Sequence, residues 1–183
     1  MRVLGISGSL RSGSHNTRLL GAAALLLPPG AELDMYGGLR GIPPYDTDDD
    51  VDPGPFTVVA LRRAIASADA VLVATPEYNS SLPGVLKNAL DWASRPYATS
   101  ALRNKPVAVI GASPGMFGAV WAQAEARKVL AATGARVIDR ELPVPRVGEA
   151  FDADGQLLDR DLRTELGGIL AELLGETEVA GAA

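Results

Sequence analysis

Short apolar runs of β character alternate with longer amphipathic stretches along most of this chain, the pattern of a parallel sheet covered by helices. Arg2–Ile6 (RVLGI) predicts the first strand, and a Gly/Ser-rich turn follows it at once. Helical periodicity begins near Asn16, with Leu19, Leu20, Ala23, Ala24 and Leu27 on one face, and Pro28-Pro29-Gly30 stops it. Glu32–Tyr36 is a second strand. Gly37–Pro55 is irregular, and a loop of that length in a small domain either carries function or moves. Phe56, Val59 and Ile65 mark a helix ending near Ala68, and Ala70–Thr75 (AVLVAT) has the continuous apolar character of a buried central strand. A further helix opens at Pro83 and runs through Val85, Leu86, Ala89 and Leu90 to Trp92. Val107–Gly111 (VAVIG) is the next strand, Gly118–Thr133 a helix closed by Gly134, and Arg136–Leu142 the fifth strand. Asp159–Leu174 is a last amphipathic helix, with Leu162, Leu166, Ile169, Leu170 and Leu173 on one face. The pattern predicts one domain over residues 1–175 and a flexible tail over 176–183.

Three polar turns each follow a strand directly: Ser7–Asn16, Pro76–Leu82 and Ala112–Gly118. In an open parallel sheet they converge on the carboxyl edge, where ligands bind. The first, GSLRSGSHN, offers the hydroxyls of Ser9, Ser12 and Ser14, the Arg11 guanidinium and the free N–H groups of a helix start, a donor set suited to phosphate. It lacks the GK[ST] element of a nucleotide-hydrolysing loop, and its glycines lack the dinucleotide spacing. The second, PEYNSSLPG, places Tyr78 and Asn79 where they can lie against a flat ring and bond its edge. The third, GASPGMFG, permits close backbone approach. Together they offer a phosphate site, a ring site and donors for the ring's polar edge, the anatomy of a flavin mononucleotide.

Composition narrows the chemistry. The 183 residues are 47% hydrophobic and 21% charged, with a net charge of -5, so no basic surplus exists to neutralise nucleic-acid phosphates. No run approaches a membrane span, and MRVLGISGSL is too short in its apolar part for a signal peptide, which makes the cytoplasm the expected compartment. With no Cys and one His, thiolate chemistry, disulfides and iron–sulfur clusters are excluded and no metal site is expected.

Gly8–Asn16 resembles the phosphate loop of the NAD(P)H-dependent FMN reductases, which include quinone, azo-dye and chromate reductases. Pro76–Arg95 (PEYNSSLPGVLKNALDWASR) resembles that family's second signature, and GASPGMFG followed by Ala122-Gln123 its third; the likeness covers about Arg2 to Leu142. The resemblance implies a flavodoxin-like three-layer sandwich with a five-stranded parallel sheet of order 2-1-3-4-5 and helices on both faces. It implies that Ser9, Arg11, Ser14, Asn16 and Thr17 hold the FMN phosphate. Pro76, Glu77, Tyr78 and Asn79 would border the isoalloxazine ring, and Ser113 and Gly115 would approach it from the third turn. Chemistry would rest with the flavin, reduced by NADPH or NADH and reoxidised by a small-molecule acceptor, with no catalytic side chain. N–H groups of the Ser113–Gly115 turn would face the charge gained near N1. The family pairs subunits through its third and fourth helices, so a homodimer or homotetramer is expected. One residue departs from the pattern: Trp121 stands where the family commonly has Arg.

The remaining polar residues read as ordinary surface or core. His15 is expected to face solvent from its loop, and Asp46–Asp50 to be a solvated acidic loop, since it lacks the Gly and closing Glu of a calcium site. Glu77 is expected to pair structurally, across a subunit boundary. Trp92 and Trp121 belong to core or interface. Two other readings stay open from the sequence: a flavodoxin-type electron carrier without reductase turnover, and a non-flavin phosphate-ligand sensor on the same fold.

Overall fold

The computed structural model describes residues 1–181. Among the described residues six strands and five α-helices follow in the order β1 (Arg2–Ser7), α1 (His15–Leu25), β2 (Glu32–Met35), α2 (Phe56–Ser67), β3 (Ala70–Thr75), α3 (Gly84–Ala93), β4 (Pro106–Ala112), α4 (Val120–Ala132), β5 (Arg136–Val137), β6 (Pro143–Val144) and α5 (Arg160–Gly181). Every described strand pairing is parallel and the order is β2-β1-β3-β4-β5, the flavodoxin-like order expected. The fifth position differs from expectation. Its chain pairs with β4 at Arg136–Val137, leaves the sheet, and returns at Pro143–Val144. The charged run Asp139-Arg140-Glu141 cannot enter a buried sheet, which explains the gap.

Alternation along the strands divides the core into two layers. Ala70, Leu72 and Ala74 of β3 and Ala108, Ile110 and Ala112 of β4 face α1 and α5, where Leu19, Leu20, Leu166, Ile169, Leu170 and Leu173 are buried. Val71, Val73, Val107 and Val109 face the opposite layer, against Val58, Leu61 and Ile65 of α2, Leu86 and Leu90 of α3, and Leu130 of α4. Trp92 is wholly buried there, as its place on the helix implied.

Several boundaries move for local reasons. On α1 it is Ala22, not Ala24, that joins the buried face, and on α2 Phe56 stands 84% exposed while Val58 and Leu61 are buried. Pro83 caps α3 rather than opening it. α4 begins at Val120 because Gly118 and Ala119 adopt left-handed conformations (φ 56° and 64°). Gly134 closes it with φ 86°, as read from the sequence. α5 runs past Gly175 to Gly181, and Arg136 holds its Glu176 through the carboxylate (3.5 Å) and the backbone carbonyl (2.8 Å). Of the expected tail, residues 182 and 183 lie outside the described residues.

The long connection between β2 and α2 is pinned at several points. Asn88 accepts from the Tyr45 N–H (2.8 Å), and Asn88 Nδ2 and Trp92 Nε1 both donate to the Pro43 carbonyl (2.7 and 2.8 Å). Asp50 pairs with Arg62 at 2.8 Å, both largely buried, and Asp46 caps the short turn at Thr47–Asp49. The acidic stretch is thus partly committed to packing rather than wholly solvated.

Candidate flavin site at the carboxyl edge of the sheet

Register brings the strand ends level: Ser7 lies beside Ala74, and Thr75 beside Gly111. The three turns that follow are bonded to one another. The Asn16 amide joins the first to the third, donating from Nδ2 to the Ala112 carbonyl and accepting the Ala112 N–H on Oδ1, each at 3.0 Å. Gly8 ties the first turn to the end of β3, where the second begins: its N–H donates to Ala74 O (2.8 Å), and a Cβ placed there would lie 3.2 Å from Pro76 Cδ. Glu77 joins the second to the helix beyond the third, where its Oε2 accepts the Trp121 and Ala122 N–H groups (3.1 and 3.2 Å). That carboxylate caps α4, whose own N-cap residue Ala119 has no side chain able to do so. Glu77 is therefore structural, as expected, but its partners lie in its own chain.

The first turn is a donor surface. Ser14 caps α1, accepting the Thr17 N–H at 3.1 Å, and the first turn of α1 carries no acidic residue. Arg11 is exposed, with no ion pair or hydrogen bond among the described residues, and Ser9 is half-buried. Thr17 is exposed and donates from Oγ1 to Ser7 Oγ (3.0 Å). The long β2–α2 connection closes over this turn through Arg40, which donates to Leu10 O at 2.7 Å. Asn16 departs from the expected role: its side chain is buried and both amide atoms are spent on Ala112, so only its backbone N–H can face a ligand. His15 is half-buried at the head of α1 rather than fully solvent-facing: its Nδ1 is buried with no partner among the described residues, and burial, reinforced by Arg11 and Arg18, pushes the imidazole below its usual range.

In the second turn Tyr78 and Ser81 exchange backbone hydrogen bonds (3.0 and 3.1 Å), while Asn79 and Ser80 between them have φ of 53° and 58°, the pairing of a tight two-residue turn. Tyr78 and Asn79 stand exposed at its tip, whereas Pro76 is buried beneath. In the third turn the Ser113 N–H is already given to Val144 O (3.1 Å), and Pro114 has none. The Gly115 N–H is left without a partner among the described residues, so the expected pair of donors reduces to this one. Gly115 O in turn accepts from Arg146 (3.1 Å), which braces the turn.

Two supporting residues carry roles that the sequence left unassigned: Gln123, named there only within the third signature, and Arg40. Gln123, wholly buried, donates to Gly118 O (3.1 Å) and accepts the Leu142 N–H (2.9 Å), fixing the third turn against the broken fifth strand. Its signal was a lone polar side chain among Ala122, Ala126 and Leu130 on the buried face of α4. Arg40 had no local signal. A cavity of about 530 Å³ bordered by Arg62, Arg63 and Arg95 lies elsewhere and shares no residue with the three turns. Among the described residues no cluster of His, Cys, Asp and Glu could hold a metal, and no helix is long and apolar enough to cross a membrane.

A doubly wound sheet of this order, with a donor-rich turn free of carboxylates at the head of α1 and two exposed polar turns beside it, defines a flavodoxin-like protein built for a phosphorylated planar ligand. The chain belongs to the NADPH-dependent FMN reductase family, whose pattern it matches over residues 1–149. It is 45% identical over 164 residues to an NAD(P)H-dependent FMN reductase of Pseudomonas aeruginosa, covering 89% of this chain and 88% of that protein. It is 40% identical over 167 residues to a 2-hydroxy-1,4-benzoquinone reductase of a Burkholderia species, covering 91% and 90%. Among solved structures it is similar to FerB, an NAD(P)H:(acceptor) oxidoreductase of Paracoccus denitrificans (TM-score 0.84, 36% identity, 97% of each chain). A flavodoxin of Pseudomonas aeruginosa shares the fold alone (TM-score 0.58, 18% identity, 97% of this chain and 99% of that one). The chain is thus an oxidoreductase that uses FMN and a reduced nicotinamide nucleotide.

Proposed function

We propose that this protein is an NAD(P)H-dependent quinone reductase of the cytoplasm, with one FMN-binding domain over residues 1–175 and a homodimeric or homotetrameric assembly. The first turn, rich in donors and free of carboxylates, carries the reading. The FMN phosphate would sit at the head of α1, held by Arg11, by the Ser9, Ser14 and Thr17 hydroxyls and by the His15 and Asn16 N–H groups. Tyr78 and Asn79 at the tip of the second turn and Ser113 and Gly115 of the third would border the ring. Pro76 and Glu77 act beneath, as floor and tie. Bound there, FMN supplies hydride transfer from the nicotinamide to the acceptor. The residues bind and orient: the Gly115 N–H meets the charge that builds on the ring edge, and Asn16 and Glu77 keep the turns from drifting apart.

The identity of the Burkholderia relative as a benzoquinone reductase, over nine-tenths of both chains, supports quinones as acceptors. Half-buried Val85 on α3 and Val129 on α4 leave apolar surface for a second subunit. A visible absorption spectrum of the purified protein tests the reading. A flavin band that NADPH bleaches without oxygen and a quinone restores is expected. A protein that stays colourless after incubation with FMN refutes it, and one that binds FMN but is not bleached is an electron carrier instead.

A further inference from the structure

Three large apolar side chains stand in the open on the third turn and just beyond it. Met116 is 69% exposed, Phe117 56% and Trp121 47%, and Tyr78, 54% exposed, stands on the neighbouring turn. Phe117 and Trp121 meet edge to face, with ring centroids 4.9 Å apart and planes at 60°. In a chain only 5% aromatic, this concentrates aromatic surface on the rim of one site.

The backbone beneath these rings is fixed. Gly118 has φ 56° and lies so close to β6 that a Cβ would fall 2.5 Å from the Pro143 carbonyl carbon. Ala119 is left-handed, Val120 N–H bonds Phe117 O (3.1 Å), and the Trp121 N–H is held by Glu77. Exposed rings on a held backbone make a preorganised surface, which loses little freedom when a flat ligand stacks on it. Two carboxylates lie beside Trp121. Glu77 is bonded to the Trp121 N–H, and Glu125, on the same helix, accepts the Leu82 N–H (3.4 Å). Arg146 touches the third turn through its backbone, and it lines, with Met116 at the edge of that surface, a cavity whose other charged residues are the acidic Glu149 and Asp159.

We propose that Phe117 and Trp121, with Met116 at their edge, are the acceptor platform of this enzyme and select uncharged planar quinones over anionic acceptors. The proposal rests on the flavin reading above. An acceptor must come within about 3.5 Å of the ring's reacting atom, and the platform continues outward from Gly115, the residue that faces the ring edge. Aromatic stacking holds a neutral quinone there, while the two carboxylates repel an anion.

The test uses the oxidised, FMN-loaded protein without a hydride donor, so that quinones bind but do not turn over. It is titrated with 2-(hydroxymethyl)anthraquinone and with anthraquinone-2-sulfonate, which differ in charge. The parent binds the neutral quinone more tightly. Trp121→Ala and Phe117→Ala each weaken that binding about 3- to 10-fold, the usual worth of an aromatic pair, and Trp121→Arg reverses the preference toward the sulfonate. FMN affinity and sedimentation are measured on every variant. Unchanged quinone binding in both alanine variants, with FMN still held, overturns this proposal and leaves the flavin reading standing. So does a loss of affinity that accompanies a change in assembly size, because it assigns the rings to a subunit contact. A parent that takes up no FMN ends both.

Discussion

Replacing Asn16 separates two roles that the sequence cannot tell apart, phosphate ligand and internal clamp. The side chain is 3% exposed and forms two 3.0 Å bonds with the backbone of Ala112, at the end of a fully buried strand. Asn16→Ala removes both and strands a buried N–H and a buried carbonyl. At about 0.5–1.5 kcal/mol per bond lost, and more where a group is left unsatisfied, the cost is about 3 kcal/mol. For a chain of this size that lowers Tm by about 6–12 °C.

Asn16→Asp is the sharper variant because it preserves shape. It keeps the acceptor for Ala112 N–H but sets a carboxylate oxygen against the Ala112 carbonyl. Burial and that repulsion raise the pKa of the new carboxyl above the ordinary value of about 3.9. The unfolded state then releases its proton at lower pH than the folded one, so the variant is penalised at neutral pH. The penalty shrinks as pH falls through the folded pKa and vanishes near pH 4. Urea unfolding at pH 7 and pH 4.5, followed by circular dichroism without FMN, reads both effects. An Asn16→Ala midpoint within about 0.5 kcal/mol of the parent, or an Asn16→Asp deficit that does not shrink at pH 4.5, would refute the clamp.

Arg11→Ala leaves stability unchanged, since the side chain has no partner to lose, and weakens FMN binding about tenfold or more, as expected for one charge-assisted hydrogen bond; calorimetric titration with FMN checks it, and riboflavin, which lacks the phosphate, should bind parent and variant alike. Gly118→Ala meets both a left-handed φ and the Pro143–Val144 backbone at 2.5–2.6 Å, so a loss of at least about 2 kcal/mol is expected in chemical denaturation. His15, held below the ordinary histidine range, leaves the unfolded state with more bound protons as pH falls from about 6.5. Stability therefore declines over that window, and His15→Asn flattens the decline. An NMR titration of the single imidazole with its midpoint above 6.5 would contradict this.

What the sequence disclosed follows from how local its causes are. Ala70–Thr75 was legible to the residue because a strand buried on both faces is a continuous apolar run bounded by polar turns. The left-handed Gly134 was legible because a helix end has a local chemistry. The fifth strand was not, since Ile138 and Leu142 are buried like strand residues while the chain between them has left the sheet. The end of α5 was hidden for another reason: what holds Glu176 is Arg136, far away in the chain.

The site shows the same division within single motifs. A Ser, Asn or Glu beside a phosphate loop has the right chemistry for the ligand and equally for orphaned backbone groups nearby. In Gly8–Thr17 the geometry splits them: Arg11 and Ser9 remain open, Ser14 caps α1, and Asn16 is consumed by Ala112. In Pro76–Asn79 it does so again, with Tyr78 and Asn79 outward and Glu77 turned to α4. The inward members differ from the outward ones in one physical respect, which is that each serves a backbone group: Ser14 within its own segment, Asn16 on the third turn and Glu77 at the head of α4. Three loops from three strands share no covalent frame at their tips, and open parallel sheets twist and breathe at their edges. A mononucleotide touching all three would otherwise spend its binding energy on bringing them together. Ties at Gly8, Asn16 and Glu77 meet that cost during folding, so the three turns stand at fixed separation before any ligand arrives.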